Sequence, residues 1–197
     1  MMDMNTIKNG ISLKLAQDYS YNPNPREDDN LGEMVCFHRR YNLGDKTEFE
    51  NPFDFQVYTE NNQNDICCIL SLYLYDHSGI TISTTPFADK WDSGQVGYIY
   101  CTKEKAKKFG LNPENYDEIE KQLQAEVKAY DDYLTGNDKY YYFCLRDENN
   151  EIIDTITGFK GKTYKEVISE MKEYADDKYH GLFDDLLKKL MKKESYM

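Results

Sequence analysis

His38-Arg39-Arg40-Tyr41 is the densest cluster of chemistry-bearing side chains in the sequence. If Phe37 faces a core, His38 and Arg40 share the opposite face of the strand, because strand side chains alternate. An imidazole beside guanidinium groups binds anions, so His38, Arg39 and Arg40, with Asp92, form a candidate anion or polar site. The same cations equally pair with local acids such as Glu27, Asp28 and Asp45 at a strand end. Asp76-His77-Ser78-Gly79 offers a carboxylate and an imidazole, for which Ser78, Ser93 or a cysteine would be the nucleophile. Asp, Ser and Gly are also ordinary turn formers. A small hydrolase would bring His38 within hydrogen-bond reach of Asp92 or Asp76 in one cleft.

Trp91-Asp92-Ser93-Gly94-Gln95 contains the single tryptophan. It reads either as the rim of a site, with Asp89 and Asp92 as acid and base or metal ligands, or as structure. In the structural reading Trp91 covers a sheet, Gly94 makes a turn and Gly97 admits a neighbouring backbone. The three histidines, His38, His77 and His180, lack ligand spacing, and no CxxC occurs, so neither metal nor cofactor is expected. Gly94 to Gly97 does not match GxGxxG and precedes a strand, which excludes a dinucleotide fingerprint.

A long acidic helix is predicted over 113–135, with Asn112 as cap and Pro113 in its first turn. Its apolar stripe is Tyr116, Ile119, Leu123, Val127, Tyr130 and Leu134. Along it lie Glu114, Asp117, Glu118, Glu120, Glu126, Asp131 and Asp132, against Lys121 and Lys128. Carboxylates spaced on a rigid helix can occupy phosphate positions on a nucleic-acid-binding surface, so these seven are candidate contacts to a basic partner. A solvated outer face has the same composition. Eighteen tyrosines point the same way. Tyr19, Tyr21, Tyr41, Tyr58, Tyr130, Tyr133, Tyr179 and Tyr196 read as surface positions, a composition typical of protein-binding faces.

The elements that position these groups follow from periodicity. Strands are expected at Ile11–Leu15, Met34–Phe37, Ile66–Tyr75, Ile80–Ser83, Gln95–Cys101, Tyr140–Leu145 and Ile152–Thr157. Asn51 to Tyr58 reads as a loop or a short helical turn. Thr102 caps a short basic helix that ends at Gly110. Thr163 and Glu166 make a capping box for the first of two C-terminal helices, and the second runs from Leu182 to Lys193. The class is α+β, a largely antiparallel sheet built from hairpins with about four helices. A single domain over 1–197 is expected, with its core at about 11–160 and a helical extension over 162–194.

With 197 residues, 40% hydrophobic and 14% aromatic, the chain has the composition of a folded domain. Its mean hydropathy is −0.82 and no apolar run would span a bilayer, so no membrane role is expected. The first residues show no signal peptide, and five dispersed cysteines read as free, buried thiols in a reducing cytoplasm. The net charge of −12 argues against direct nucleic-acid binding and for a basic protein surface as partner.

Two segments, Asp29-Asn30-Leu31-Gly32-Glu33-Met34-Val35-Cys36-Phe37-His38-Arg39-Arg40-Tyr41-Asn42-Leu43-Gly44-Asp45 and Trp91 to Tyr100 followed by Thr102-Lys103-Glu104, resemble a family of small acidic proteins of uncharacterised biochemistry. That family is met mainly in bacteriophages and bacterial mobile elements. The resemblance covers roughly residues 11 to 160 and transfers no catalytic residue. It implies a phage or prophage protein acting in a bacterial cytoplasm. By analogy with other small acidic phage proteins, it implies an inhibitor of a host defence nuclease such as a CRISPR effector. The expected function is therefore non-enzymatic binding through an acidic, tyrosine-rich surface. The alternatives are the His38 hydrolase and a self-associating phage structural or accessory protein.

Overall fold

The structure, a computed structural model, describes residues 4–194. In chain order its strands and helices are β1 (Met4–Lys8), β2 (Ile11–Gln17), β3 (Glu33–Cys36), α1 (Pro52–Asn61), β4 (Ile66–Asp76), β5 (Ile80–Ser83), β6 (Ser93–Thr102), α2 (Lys103–Lys108), α3 (Tyr116–Thr135), β7 (Tyr140–Arg146), β8 (Ile152–Lys160), α4 (Tyr164–Tyr174) and α5 (His180–Glu194). They fall into two compact units, one from the chain ends, up to Asn22 and from Asp138 onward, and one from Pro23–Asn137. Each holds a four-stranded sheet, β1-β2-β7-β8 in the first and β3-β6-β4-β5 in the second. All pairings are antiparallel, so the α+β class with antiparallel sheets is the observed one. No helix among the described residues is long and apolar enough to cross a membrane.

In place of one core over 11–160 with a helical extension, each unit has its own core. In the first, Leu13 and Leu15 of β2 and Tyr141, Phe143 and Leu145 of β7 pack against Val167, Ile168 and Met171 of α4 and Leu182, Phe183 and Leu186 of α5. The C-terminal helices are thus half of a core rather than an appendage. Burying such a side chain is worth about 1.5–3 kcal/mol, which is why both amphipathic stripes find a sheet. β1 was not expected. Thr6 is its one buried residue among polar and exposed neighbours, so no alternation announces it. Its signal is Asn9-Gly10, both at positive φ, the two-residue turn that joins twisted antiparallel strands. Glu166 N–H donates to the Thr163 hydroxyl as expected of the cap, while the Glu166 carboxylate accepts from Lys162 N–H at 2.8 Å instead of from Thr163 N–H. Lys189 of α5 ties the helix to β1, its Nζ donating to Thr6 Oγ1 at 3.1 Å. The Lys193 side chain and Tyr196 lie outside what is described.

Asp18 closes the first unit where β2 ends. Its carboxylate accepts from the Ser20 hydroxyl at 2.7 Å and the Thr157 hydroxyl at 2.8 Å. Those two bonds, Ser20 first, hold its pKa below the ordinary 3.8. A depressed carboxylate stabilises the fold above its unfolded pKa, and that contribution is lost as pH falls through the folded one. Asp18→Asn is therefore expected to lower Tm at neutral pH, with the gap to the parent closing below pH 3.8. A gap that stays constant from pH 7 to pH 3 in a thermal series would contradict this role.

In the second unit, one face of the sheet carries Met34, Leu72, Leu74, Ile82, Val96, Ile99 and Cys101 against Ile119, Leu123, Val127 and Tyr130 of α3. The other face buries Val35 and Tyr100 beneath Phe55 of α1. The predicted stripe of α3 is the packed one, except that Tyr116 stays half in water. The helix starts three residues later than expected. Asn112 closes a turn of its own, and Asn115 is the cap, accepting from Glu118 N–H. Asn51-Pro52 to Asn61 is a full helix rather than a loop. Asn51 Oδ1 accepts from Phe53 and Asp54 N–H and Pro52 starts the first turn, but with only Phe55 buried there was no stripe to read. Tyr130, expected at the surface, is 3% exposed and accepts from Gly44 N–H.

Candidate binding site

The cluster read first in the sequence does assemble. The loop after β3, the end of β4 and the start of β6 enclose a cleft of about 400 Å³ lined by His38, Arg39, Arg40, Asp76, Trp91 and Asp92, among others. Its charges are largely used. Arg40 forms an ion pair with Asp76, whose other oxygen accepts from the Tyr41 hydroxyl at 3.3 Å. Asp92 Oδ2 pairs with His77 Nδ1 at 2.8 Å. Glu27, Asp28 and Asp45 take no part, and Asp45 is held by Arg26 instead. Arg39 is exposed and without a partner among the described residues.

The hydrolase pairing does not form. His38 Nδ1 accepts from Arg40 and Tyr41 N–H at 3.3 Å each, and its ring stacks on Tyr41. The loop thus occupies His38 Nδ1, and neither Asp76 nor Asp92 bonds to His38. Ser93 gives its hydroxyl proton to the Asp89 carbonyl oxygen. Burial pushes the thiol of Cys36, at the end of β3, up to about 12. Asp89 itself accepts from Trp91 and Asp92 N–H and forms a tight loop. Trp91 rides on that loop at 96% exposure, so it rims the cleft and covers no sheet. Gly97, by contrast, does admit a neighbouring backbone, that of Val35.

The seven candidate carboxylates of the long helix do not all face outward. Glu126 turns inward, its side chain 9% exposed, and accepts from Leu31 and Gly32 N–H at 2.7 and 3.0 Å and from Arg26. Asp131 accepts from Ile82 N–H at 3.1 Å, and Asp132 is paired with Lys128 along the helix. These residues hold the fold. Glu114, Asp117 and Glu118 are exposed and Glu120 partly so, clustered at the start of α3, where the helix dipole favours anions.

A second cleft of about 370 Å³ was not anticipated. Thr59, Glu60 and Gln63 form one wall, Ile66, Cys67, Cys68 and Ile69 the floor, and Tyr116 the other wall. Three local features build it: the Asn51-Pro52 start of α1, an irregularity in β4 at Ile66–Cys68, and the Asn115 cap that puts Tyr116 at the head of α3. Tyr116 is 47% and Ile69 39% exposed. Burial first, then the Cys68 and Glu120 charges, raise the Tyr116 phenol above its usual pKa. Phe53 and Val57, both exposed, share one face of α1 with Glu60, extending an apolar strip beside the groove. Residues 23–137 hold 21 Asp and Glu against 11 Lys and Arg, a net −10 of the chain's −12. The signal in the sequence was Cys67-Cys68, two apolar neighbours at the point where the strand's alternation slips.

The fold and the groove define an α+β protein with an apolar, acid-rimmed cleft. No protein-family model, curated protein or solved structure matches the chain.

Proposed function

We propose that the chain is a non-enzymatic binding protein that docks on a basic protein surface through the groove between α1, β4 and the head of α3. One observation carries this reading: Ile66, Ile69 and Tyr116 leave apolar surface in water inside a unit of net charge −10, with Glu60 in the lining and Asp117 and Glu120 close to Tyr116. Apolar anchors ringed by charge give affinity and steering together. A lysine or arginine from the partner fits such a groove, its methylene stem on Ile69 and Tyr116 and its head among the carboxylates. The resemblance to phage and mobile-element proteins supplies the setting. In it the partner is a host defence nuclease such as a CRISPR effector, met in the bacterial cytoplasm and blocked at its nucleic-acid-binding surface.

The test is capture from a bacterial lysate on the immobilised protein, followed by titration of the captured partner. Tyr116→Ala is expected to weaken binding by about 1–2 kcal/mol, five- to thirtyfold. Glu60→Lys with Asp117→Lys should weaken it at least as much at low salt, and the loss should shrink as salt screens the parent. Equal affinity for parent and both variants would sink the groove. Recovery of further copies of the chain alone would point to self-association instead.

A further inference from the structure

Three thiols meet where β4 slips against β6. Ile66 faces Thr102 and Cys68 faces Cys101, which leaves Cys67 as an extra residue in β4. Two residues on the bulged strand then oppose one on its partner. Cys67 packs against the same core cluster that holds Cys68 and Cys101. Its Sγ donates to the Cys101 carbonyl at 3.3 Å, and Cys101 Sγ donates to the Thr102 carbonyl at 3.3 Å. The registered partner of Cys101 is Cys68, and the bulge sets Cys67 beside the same residue, with its sulfur on the Cys101 backbone. All five cysteines are free. Cys68 is a poorer entry thiol because it is 2% exposed, whereas Cys67 is half-buried.

We infer that Cys67 and Cys101 form a dithiol modification site, closed to an intramolecular disulfide by low-molecular-weight disulfides such as oxidised glutathione. Cys67, half-buried in the wall of an open groove, is the entry thiol. Its thiolate attacks one sulfur of the reagent and expels a glutathione thiolate, giving a mixed disulfide. The Cys101 thiolate then attacks the Cys67 sulfur and expels the second glutathione thiolate. The two protein thiol protons end on the two glutathione molecules, the protein loses two electrons, and the reagent gains them. Cys101 is fully buried, so only a neighbouring sulfur can reach it. Burial holds its thiol up to about 12, which makes the second step the slow one and base-accelerated. The site shares Cys67 with the proposed binding groove, but its chemistry does not depend on that role.

The full chain, folded and reduced, is treated with oxidised glutathione at pH 7 and pH 9, then denatured for thiol counting and mapped by mass spectrometry without reduction. The expected result is a fall from five free thiols to three, with a Cys67–Cys101 cross-linked peptide. Closure should be roughly tenfold faster per pH unit while the resolving thiol is protonated. Cys67→Ser, a change at a half-buried position, should abolish the cross-link, and Cys68→Ser should leave it. Five surviving thiols, a glutathione adduct on Cys67 that never resolves, or a cross-link through Cys68 would each overturn the assignment.

Discussion

Replacing Arg26 with methionine is expected to lower the unfolding free energy of the 23–137 unit by about 3–5 kcal/mol. The side chain is 2% exposed and every nitrogen of its head is used. Nε and Nη2 donate to the two oxygens of Asp45 at 2.8 and 2.6 Å, Nη1 donates to Glu126 at 3.1 Å, and Nη2 also donates to the Gly32 carbonyl at 2.8 Å. The carboxylates are equally committed: Asp45 accepts from Met34 N–H, and Glu126 from Leu31 and Gly32 N–H. Burial opposes the charge on Arg26, but Asp45 and then Glu126 more than offset it and hold its pKa above the ordinary value. Methionine keeps most of the volume, so the loss reports two carboxylates left without their cation rather than a cavity. Chemical denaturation followed by circular dichroism measures it. In a cycle with Glu126→Gln the double variant should lose well under the sum of the single losses, because both act on one network. A loss below about 1 kcal/mol for Arg26→Met would mean that water replaces the guanidinium and the network is not closed.

That network shows where sequence reading stops. Glu126 was one of seven carboxylates on a helix whose apolar stripe was plain, and all seven carried the same local signal. What turns it inward is its place next to Val127 and one turn after Leu123, beside a loop whose N–H groups lack strand partners. Only the folded loop supplies those donors. Caps were legible because both partners sit within three residues, as with Thr163 and Glu166. β1 and α1 were hidden because each buries a single side chain, so hydrophobic periodicity is silent and only the turn and cap residues, Asn9-Gly10 and Asn51-Pro52, speak.

The division into two cores was hidden for a different reason. β2 pairs with β7, Leu15 opposite Phe143, across the whole of the second unit. Local pattern states that a strand is half-buried but not which distant strand completes its sheet. The arginine cleft was half legible. Arg40 and Asp76, and His77 and Asp92, were recognised as groups with chemistry to do. Which imidazole meets which carboxylate depends on a loop in which His38 caps its own backbone, and that loop leaves His77 rather than His38 bonded to Asp92. The proposed groove was the least visible, because its floor is a strand irregularity and its walls belong to a helix read as a loop and a helix start placed three residues early.

Gly97→Ala is expected to be as damaging as the loss of Arg26, for a steric reason. A Cβ at position 97 would lie 1.9 Å from the Val35 carbonyl oxygen and 2.9 Å from Cys36 Cα. Both are backbone atoms, so no rotamer relieves the clash and β3 must leave β6. The pairing at stake joins Glu33–Cys36 to Gly97–Tyr100, and it continues as the Phe37 N–H bond to the Val96 carbonyl at 2.7 Å. A loss of about 3 kcal/mol or more follows, in the range reserved for core strain. Gly94→Ala, in the same strand with nothing within 4 Å of the added methyl, should change stability by about 0.5 kcal/mol or less. The consequence reaches the cleft, because His38, Arg39 and Arg40 follow directly from β3. As β3 detaches, Arg40 should separate from Asp76, and the Val35 and Phe37 amides should lose hydrogen-exchange protection ahead of those in β4. Equal stability for Gly97→Ala and Gly94→Ala would show that β3 can shift without cost. The cleft would then owe its shape to the Arg40–Asp76 pair rather than to the strand that delivers it.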